Sequence, residues 1–133
     1  MEGGPMPIDA GLTGTAELTV TDADTAAALG SGDVPVLGTP RVLALAEAAT
    51  VAALAGRLDA GRTTVGTEVR LAHTAPTPVG ARVVATAHLV RVEGRRLAFE
   101  VAVTQEGRQV AVGTVERVVV HRERFLAGAR RGE

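Results

Sequence analysis

Three side chains that can donate, accept or orient a proton interrupt otherwise apolar or structural segments of this sequence: Thr39, Glu47 and His73. A carboxylate held among apolar residues is expected to acquire a raised pKa or to take a dedicated partner, because an unpaired buried charge is costly. Such a carboxylate can act as a general base, an imidazole can relay a proton, and a hydroxyl can donate to a developing oxyanion. Together the three residues favour an acid–base catalytic site.

Glu47 lies in the middle of an apolar helical stripe. At 100° per residue, four apolar neighbours fall within about 60° of it: Leu43, Ala44, Val51 and Leu54. Arg41 and Arg57 lie roughly 80° to 120° away and are not natural partners within the helix. We therefore expect Glu47 in an apolar cavity beside His73, although a solvent-facing stripe or an arginine from a strand would also account for it.

His73 ends an apolar strand in the segment LAHTAPTPVG, which covers residues 71–80. Pro76 and Pro78 follow it, and prolines stop further strand pairing and stiffen the exit from the strand. This predicts a fixed position for the imidazole ring. A histidine whose ring nitrogens are bonded to the backbone is the alternative interpretation.

Thr39 precedes Pro40, a pair typical of a helix N-cap and first helical position, so capping alone would explain the threonine. Thr39 and Glu47 are about 12 Å apart along the axis if a continuous helix joins them. They can therefore meet only if the helix begins later and the preceding loop folds back, or if they meet across a dimer interface. The residues alone leave both routes open.

The elements that must position these residues follow from periodicity. A helix is predicted from residue 39 with a stop at Gly56 or Gly61, and it is apolar almost all round, which is typical of a helix enclosed by other structure. Strands are predicted at 11–21, 63–73, 81–92, 95–104 and 108–121. A loop with a short helical turn over 24–29 precedes the helix.

The last three strands are separated by Glu93-Gly94 and Glu106-Gly107, which predict consecutive hairpins. One strand, a buried helix and four antiparallel strands describe an α+β fold in which a long antiparallel sheet curls around a central helix. The chain of 133 residues is expected to form a single domain over 1–133, with flexible ends at 1–10 and 127–133.

Composition excludes several classes of function. The sequence has no Cys, no Lys and no Asn, which removes thiolate nucleophiles, Walker-type phosphate loops and cysteine zinc sites. A net charge of -1 and an aromatic content of only 2% argue against a nucleic-acid surface. Without a signal peptide or an apolar run of about 18 residues, a cytoplasmic protein with no membrane partner is expected.

Other hydrolytic and metal chemistries lack their sequence patterns. Ser31 is the only serine and does not have the flanking glycines of a nucleophile elbow. His88 and His121 have no ligand spacing, so no metal is expected.

Four segments carry a family resemblance, with the intervals between them preserved from roughly residue 34 to residue 125. They are GTPRVLALAE, VGTEVRLAHTAPTPVG, VEGRRLAFEV and VGTVERVVVH. The chain resembles the fluoroacetyl-CoA thioesterase-like family of hotdog-fold proteins, and the HTAPTP segment is the most specific part of the match. The resemblance implies a hotdog fold, a homodimer and hydrolysis of a small acyl-CoA, with no cofactor beyond the coenzyme A of the substrate.

By that resemblance, Thr39, Glu47 and His73 form the catalytic set. Gly66 matches a glycine near the reacting carbonyl, and Arg117 matches an arginine of the site. Glu47 would deprotonate a water molecule or attack the thioester directly, and a backbone N–H near Gly66 would add an oxyanion donor.

The loop before the helix, LGSGDVPVLG, contains none of the bulky aromatics associated with fluoroacetyl selectivity, so a broader acyl-CoA thioesterase is expected. Arg95, Arg96 and Arg108 in the hairpin turns are candidates for contact with the CoA phosphates, although turns are commonly charged. The alternative function is a non-catalytic acyl-CoA or small-ligand binding module on the same fold.

Overall fold

Alternating apolar and polar residues build one antiparallel sheet, which wraps against a central helix. The computed structural model describes residues 7–132. Its strands are β1 (Thr13–Thr19), β2 (Arg62–His73), β3 (Arg82–Glu93), β4 (Arg96–Gln105) and β5 (Arg108–His121). Their order in the sheet is β1-β3-β4-β5-β2, so β1 and β2 are the edge strands. The predicted strands and both predicted hairpins are confirmed.

Within the described residues, three α-helices accompany the sheet: α1 (Ala26–Leu29), α2 (Thr39–Ala53) and α3 (Arg122–Arg131). The short helical turn predicted before the main helix corresponds to a 3-10 turn at Asp22–Asp24 followed by α1. None of the helices within residues 7–132 has the length and apolar character needed to cross a bilayer.

Both ends of the central helix differ from the prediction. Gly38 is the N-cap of α2 and Thr39 is its first residue, so the prediction of Thr39 as the cap was wrong. The Thr39 hydroxyl is therefore free for other contacts. At the other end α2 stops at Ala53 with Leu54 as the C-cap, before the glycines at 56 and 61. Leu54 is 3% exposed and packs into the core, which holds the chain as it leaves the helix.

Helix α2 is enclosed on one side only, contrary to the expectation of an enclosed helix. Its buried residues face the sheet and are Val42, Leu45, Ala46, Ala49, Thr50 and Ala53. The opposite face carries Ala44, Ala48 and Val51, all exposed, and Val51 is 52% exposed. The reason is geometric, because a single five-stranded sheet covers only one side of a helix. An apolar stripe of small residues is left open in the protomer.

The predicted flexible ends lie partly outside the described residues, which exclude 1–6 and 133. Residues 127–131 belong to α3, where His121 caps the helix by accepting the Arg124 backbone N–H at 3.4 Å. The mobility of the two ends stays a prediction.

Small side chains allow α2 to lie close to the sheet. Strand β1 crosses α2 at Gly14, where a Cβ atom would collide with backbone atoms of Ala49 and Ala53. Because backbone atoms cannot turn aside as a flexible side chain can, the contact requires glycine.

Replacing Gly14 with Ala is expected to lower the free energy of unfolding by about 3 kcal/mol, because the strand and the helix must separate to admit the methyl group. Chemical denaturation monitored by circular dichroism measures this change. Gly32→Ala is the matched control, since its Cβ would meet only the Ala26 Cβ at 3.4 Å. Equal stabilities of the two variants would contradict the close approach of β1 to α2.

Candidate active site

The HTAPTP segment anchors the loop that leads into α2. The Leu37 backbone N–H donates to the Thr77 carbonyl at 2.9 Å, and Val36 forms an isolated bridge with Pro78. Thr77 is fully buried, and the two flanking prolines keep this part of the chain extended. This pairing holds the start of α2 beside the end of β2. The two prolines therefore serve to position the loop that brings Thr39 next to His73.

Thr39 and His73 are in direct contact at this junction. Thr39 Oγ1 and His73 Nδ1 are 2.8 Å apart and share a hydrogen bond whose donor depends on the imidazole tautomer. The other ring nitrogen, Nε2, is buried and makes no hydrogen bond to any residue in the range 7–132. A buried polar atom without a partner is rare in folded proteins and commonly marks a place where function requires it.

A clamp that the sequence did not predict fixes the residues on both sides of Thr39. The Gly38 backbone N–H donates to the Asp24 carbonyl at 2.9 Å, and Arg41 Nε donates to Asp24 Oδ1 at 3.1 Å. The Thr21 backbone N–H is the main cause of a lowered pKa for Asp24. Asp24 and Arg41 are 17 residues apart, so no helical or strand periodicity connected them.

Glu47 has the arginine partner that the sequence left as an alternative. Arg117 Nη1 donates to Glu47 Oε2 at 3.2 Å, and the two side chains are 8% and 32% exposed. Burial lowers the pKa of Arg117, and the Glu47 carboxylate opposes that shift. The arginine is held from behind by Thr64, because Nε donates to Thr64 Oγ1 at 2.9 Å and Nη2 donates to the Thr64 carbonyl at 3.1 Å. The Glu47 carboxylate is thus oriented rather than free to rotate.

Gly66 lies directly beneath the Glu47 carboxylate. A Cβ atom at Gly66 would collide with Glu47 Oε2, so a side chain there would displace the acid. Gly66 pairs with Arg117 in the β2–β5 ladder, which places both under Glu47. Thr64 belongs to the same cluster and was missed from sequence, although it lies two residues before Gly66 and therefore on the same face.

A β-bulge in β2 puts Gly66 and His73 on the same face of the sheet. Residues seven apart in a regular strand point to opposite faces, because side chains alternate. The register shifts by one residue between Gly66 and Glu68, which reverses the alternation at that point. Val69 and Leu71 consequently pack against the core on the helix side, in line with His73.

The predicted site residues therefore form two clusters within one protomer. The first is the Thr39–His73 pair, and the second is Glu47 with Gly66 and Arg117. Gly66 and His73 are separated by about 20 Å along β2. Because α2 is continuous from Thr39 to Ala53, the later helix start that would have joined the clusters in one chain is excluded.

A cleft of about 340 Å³ opens beside the Thr39–His73 pair. Short side chains line most of it, and the lining includes Ala26, Gly32, Val34, Val36, Ala75 and Pro76. The described part of the lining contains no aromatic residue. The cleft offers an apolar space next to a hydroxyl and an imidazole.

Comparison with known proteins places this geometry in a family. The profile of the fluoroacetyl-CoA-specific thioesterase family matches residues 20–123. A fluoroacetyl-CoA thioesterase from Streptantibioticus cattleyicolor is 41% identical over 95 residues, which cover 71% of this chain and 68% of that protein.

Solved structures agree with the sequence match. A crystal structure of a fluoroacetyl-CoA thioesterase superimposes with a TM-score of 0.89 at 33% identity, covering 96% of this chain and 99% of the other. A mutant of that type of enzyme in complex with fluoroacetate and CoA gives a TM-score of 0.83 at 34% identity, covering 89% and 99%. A thioesterase superfamily member from Thermus thermophilus gives 0.87 at 29% identity, covering 94% and 93%. The predicted hotdog fold is confirmed, and the chain belongs to the fluoroacetyl-CoA-specific thioesterase family, a family of thioester hydrolases.

Proposed function

We propose that this protein hydrolyses small acyl-CoA thioesters at a site that two copies of the chain form together. One observation carries the proposal: the Glu47 cluster over Gly66 and the Thr39–His73 pair lie on the same face of β2, about 20 Å apart along the strand, and β2 is an edge strand. The relatives solved or named as fluoroacetyl-CoA thioesterases, one of them with CoA bound, support the substrate class.

An antiparallel pairing of β2 with the β2 of a second copy would join the two clusters. A two-fold axis between Val69 and Arg70 carries His73 of one protomer toward the Gly66 region of the other. Such pairing gives hydrogen-bond partners to the open backbone N–H and C=O groups along the edge of a 12-residue strand. Without a partner, an edge of this length is prone to non-specific association. It also brings together the two exposed apolar stripes on α2, at Ala44, Ala48 and Val51 of each copy.

In the joined site each residue has a role that its contacts support. Glu47, oriented by Arg117, acts as the general base toward a water molecule or as the nucleophile toward the thioester carbonyl. His73 contributes its imidazole from the other protomer, with Thr39 fixing the ring through Nδ1 and with Nε2 as the ring nitrogen left to act. A backbone N–H near Gly66 is one donor to the oxyanion, and the Thr39 hydroxyl is a second when His73 Nδ1–H donates to its oxygen.

Glu47→Gln is expected to reduce the release of free thiol from acyl-CoA by about 100-fold or more, because the amide cannot accept a proton. A thiol-reactive chromophore with saturating substrate measures the rate. Glu100→Gln is the control, since Glu100 is an exposed carboxylate on the opposite face of the sheet. Equally negligible rates for the wild type and Glu47→Gln would instead favour the acyl-CoA binding module.

The two-chain site predicts complementation between inactive variants. Glu47→Gln and His73→Ala, coexpressed with different tags and purified as the mixed dimer, are expected to recover about half of the wild-type activity, because one of the two sites is intact. The mixed dimer of Glu47→Gln with the double variant Glu47→Gln/His73→Ala has no intact site and serves as the control. If the mixed dimer of Glu47→Gln with His73→Ala is inactive, the whole site lies within one chain.

The open cleft predicts a preference for acyl groups longer than two carbons. A molecule the size of water takes up about 30 Å³. A two-carbon acyl group therefore fills only a minor part of the cleft, whose volume is about 340 Å³. We expect kcat/KM to rise from acetyl-CoA to butyryl- and hexanoyl-CoA by about 3- to 10-fold per added pair of methylenes. Val34→Phe, which narrows the lining of the cleft, should reverse this order. A sharp optimum at fluoroacetyl-CoA in the wild type would contradict it.

A further inference from the structure

Three arginines surround a second cleft, of about 250 Å³, at the far end of the sheet from the Thr39–His73 pair. Arg62 begins β2, Arg95 lies in the β3–β4 turn, and Arg124 lies in the first turn of α3. The cleft is completed by Val120, His121 and Phe125. No carboxylate lines it among the described residues.

Backbone hydrogen bonds hold the three arginines around this cleft. The Arg122 N–H donates to the Gly61 carbonyl at 2.9 Å, which ties the start of α3 to the residue before Arg62. The Val119 N–H donates to the Arg95 carbonyl at 2.9 Å, which ties the β3–β4 turn to the end of β5. The fold therefore sets the backbone positions from which these exposed arginines reach the cleft.

No carboxylate within residues 7–132 neutralises these three arginines. Other arginines of the described residues do pair with a carboxylate, among them Arg41, Arg70, Arg82, Arg91 and Arg117. In the range 7–132, none of Arg62, Arg95 and Arg124 forms an ion pair. Three like charges around one cleft repel one another, and a polyvalent anion would relieve that repulsion.

Phe125 supplies a second, independent feature. The chain has only two phenylalanines, and Phe99 is fully buried whereas Phe125 is 45% exposed at the cleft. An exposed aromatic face beside guanidinium groups suits a nucleobase, because bases stack on aromatic rings while phosphates take bidentate hydrogen bonds from arginine. The combination fits an adenine nucleotide better than a simple phosphate.

The distance from this cleft to the proposed reaction centre matches the length of CoA. Arg62 lies four residues before Gly66 on β2, which is about 13 Å along the strand. The pantetheine arm has about thirteen bonds between its sulfur and the diphosphate, comparable to four extended residues or about 14 Å. A thioester at Gly66 can therefore reach the arginines with its nucleotide end.

We infer that the cleft between Arg62, Arg95, Arg124 and Phe125 binds the 3′-phosphorylated ADP end of the acyl-CoA substrate. The inference rests on the proposed function for the identity of the ligand. Of the three arginines that the sequence offered for contact with the CoA phosphates, only Arg95 belongs to this cleft. Arg108 lies at the opposite end of β5, and Arg96 does not line the cleft.

A direct binding measurement tests the cleft without hydrolysis. Adenosine 3′,5′-bisphosphate, titrated into the full chain by calorimetry, is expected to bind the wild type and to bind Arg62→Gln/Arg124→Gln at least tenfold more weakly. Phe125→Leu should also weaken binding. Arg82→Gln/Arg108→Gln removes the same charge from the other end of the sheet and should bind as the wild type does. Equal binding by both double variants, or no binding by the wild type, overturns the inference.

A kinetic comparison then separates the nucleotide site from the catalytic site. Arg62→Gln/Arg124→Gln is expected to raise KM for acyl-CoA at least tenfold, with kcat within about twofold. The same acyl group on N-acetylcysteamine, which lacks the nucleotide, should show no difference between variant and wild type. An equal loss on both thioesters would assign the arginines a structural role. If the wild type hydrolyses neither thioester, the proposed function fails, while the calorimetry still reports on the cleft.

Discussion

A guanidinium buried between sheet and helix sets the geometry of this site. Arg117 is 7% exposed, and a charge so placed must find an anion and further acceptors. It finds Glu47 on α2 and Thr64 on β2, and it thereby connects the helix to two strands. The carboxylate gains a defined orientation from the same contact. Gly66 is required in turn, because any side chain there would enter the space of the acid.

The length and continuity of α2 impose the second constraint. A helix that begins at Thr39 and continues to Ala53 separates Thr39 from Glu47 by two turns, so one chain cannot place both residues at one carbonyl. The bulge near Thr67 aligns both clusters on the same face of β2, and it also turns Val69 and Leu71, rather than Glu68 and Arg70, toward the core. The association of two copies proposed above would account for both the open strand edge and the exposed helix stripe.

The two clefts differ in chemistry in the way that the proposed substrate requires. The cleft beside His73 is apolar and lined by small side chains, whereas the cleft beside Arg62 is cationic and carries an exposed aromatic ring. An acyl-CoA has the same division between an apolar acyl group and an anionic nucleotide.

Periodicity and turn residues were sufficient to predict the five strands, both hairpins and the central helix, because these elements depend on local alternation and on glycine at defined turns. The types of Glu47 and His73 also identified them as chemically unusual from the pattern alone. The partner of Glu47, the contact of Thr39 with His73 and the Asp24–Arg41 clamp depended on the folded chain, since each joins residues 17 to 70 positions apart. Local sequence likewise did not predict the open face of α2 or the bulge in β2. Both arise from how one sheet of limited width packs against a helix, which is a property of the assembled layers rather than of any segment.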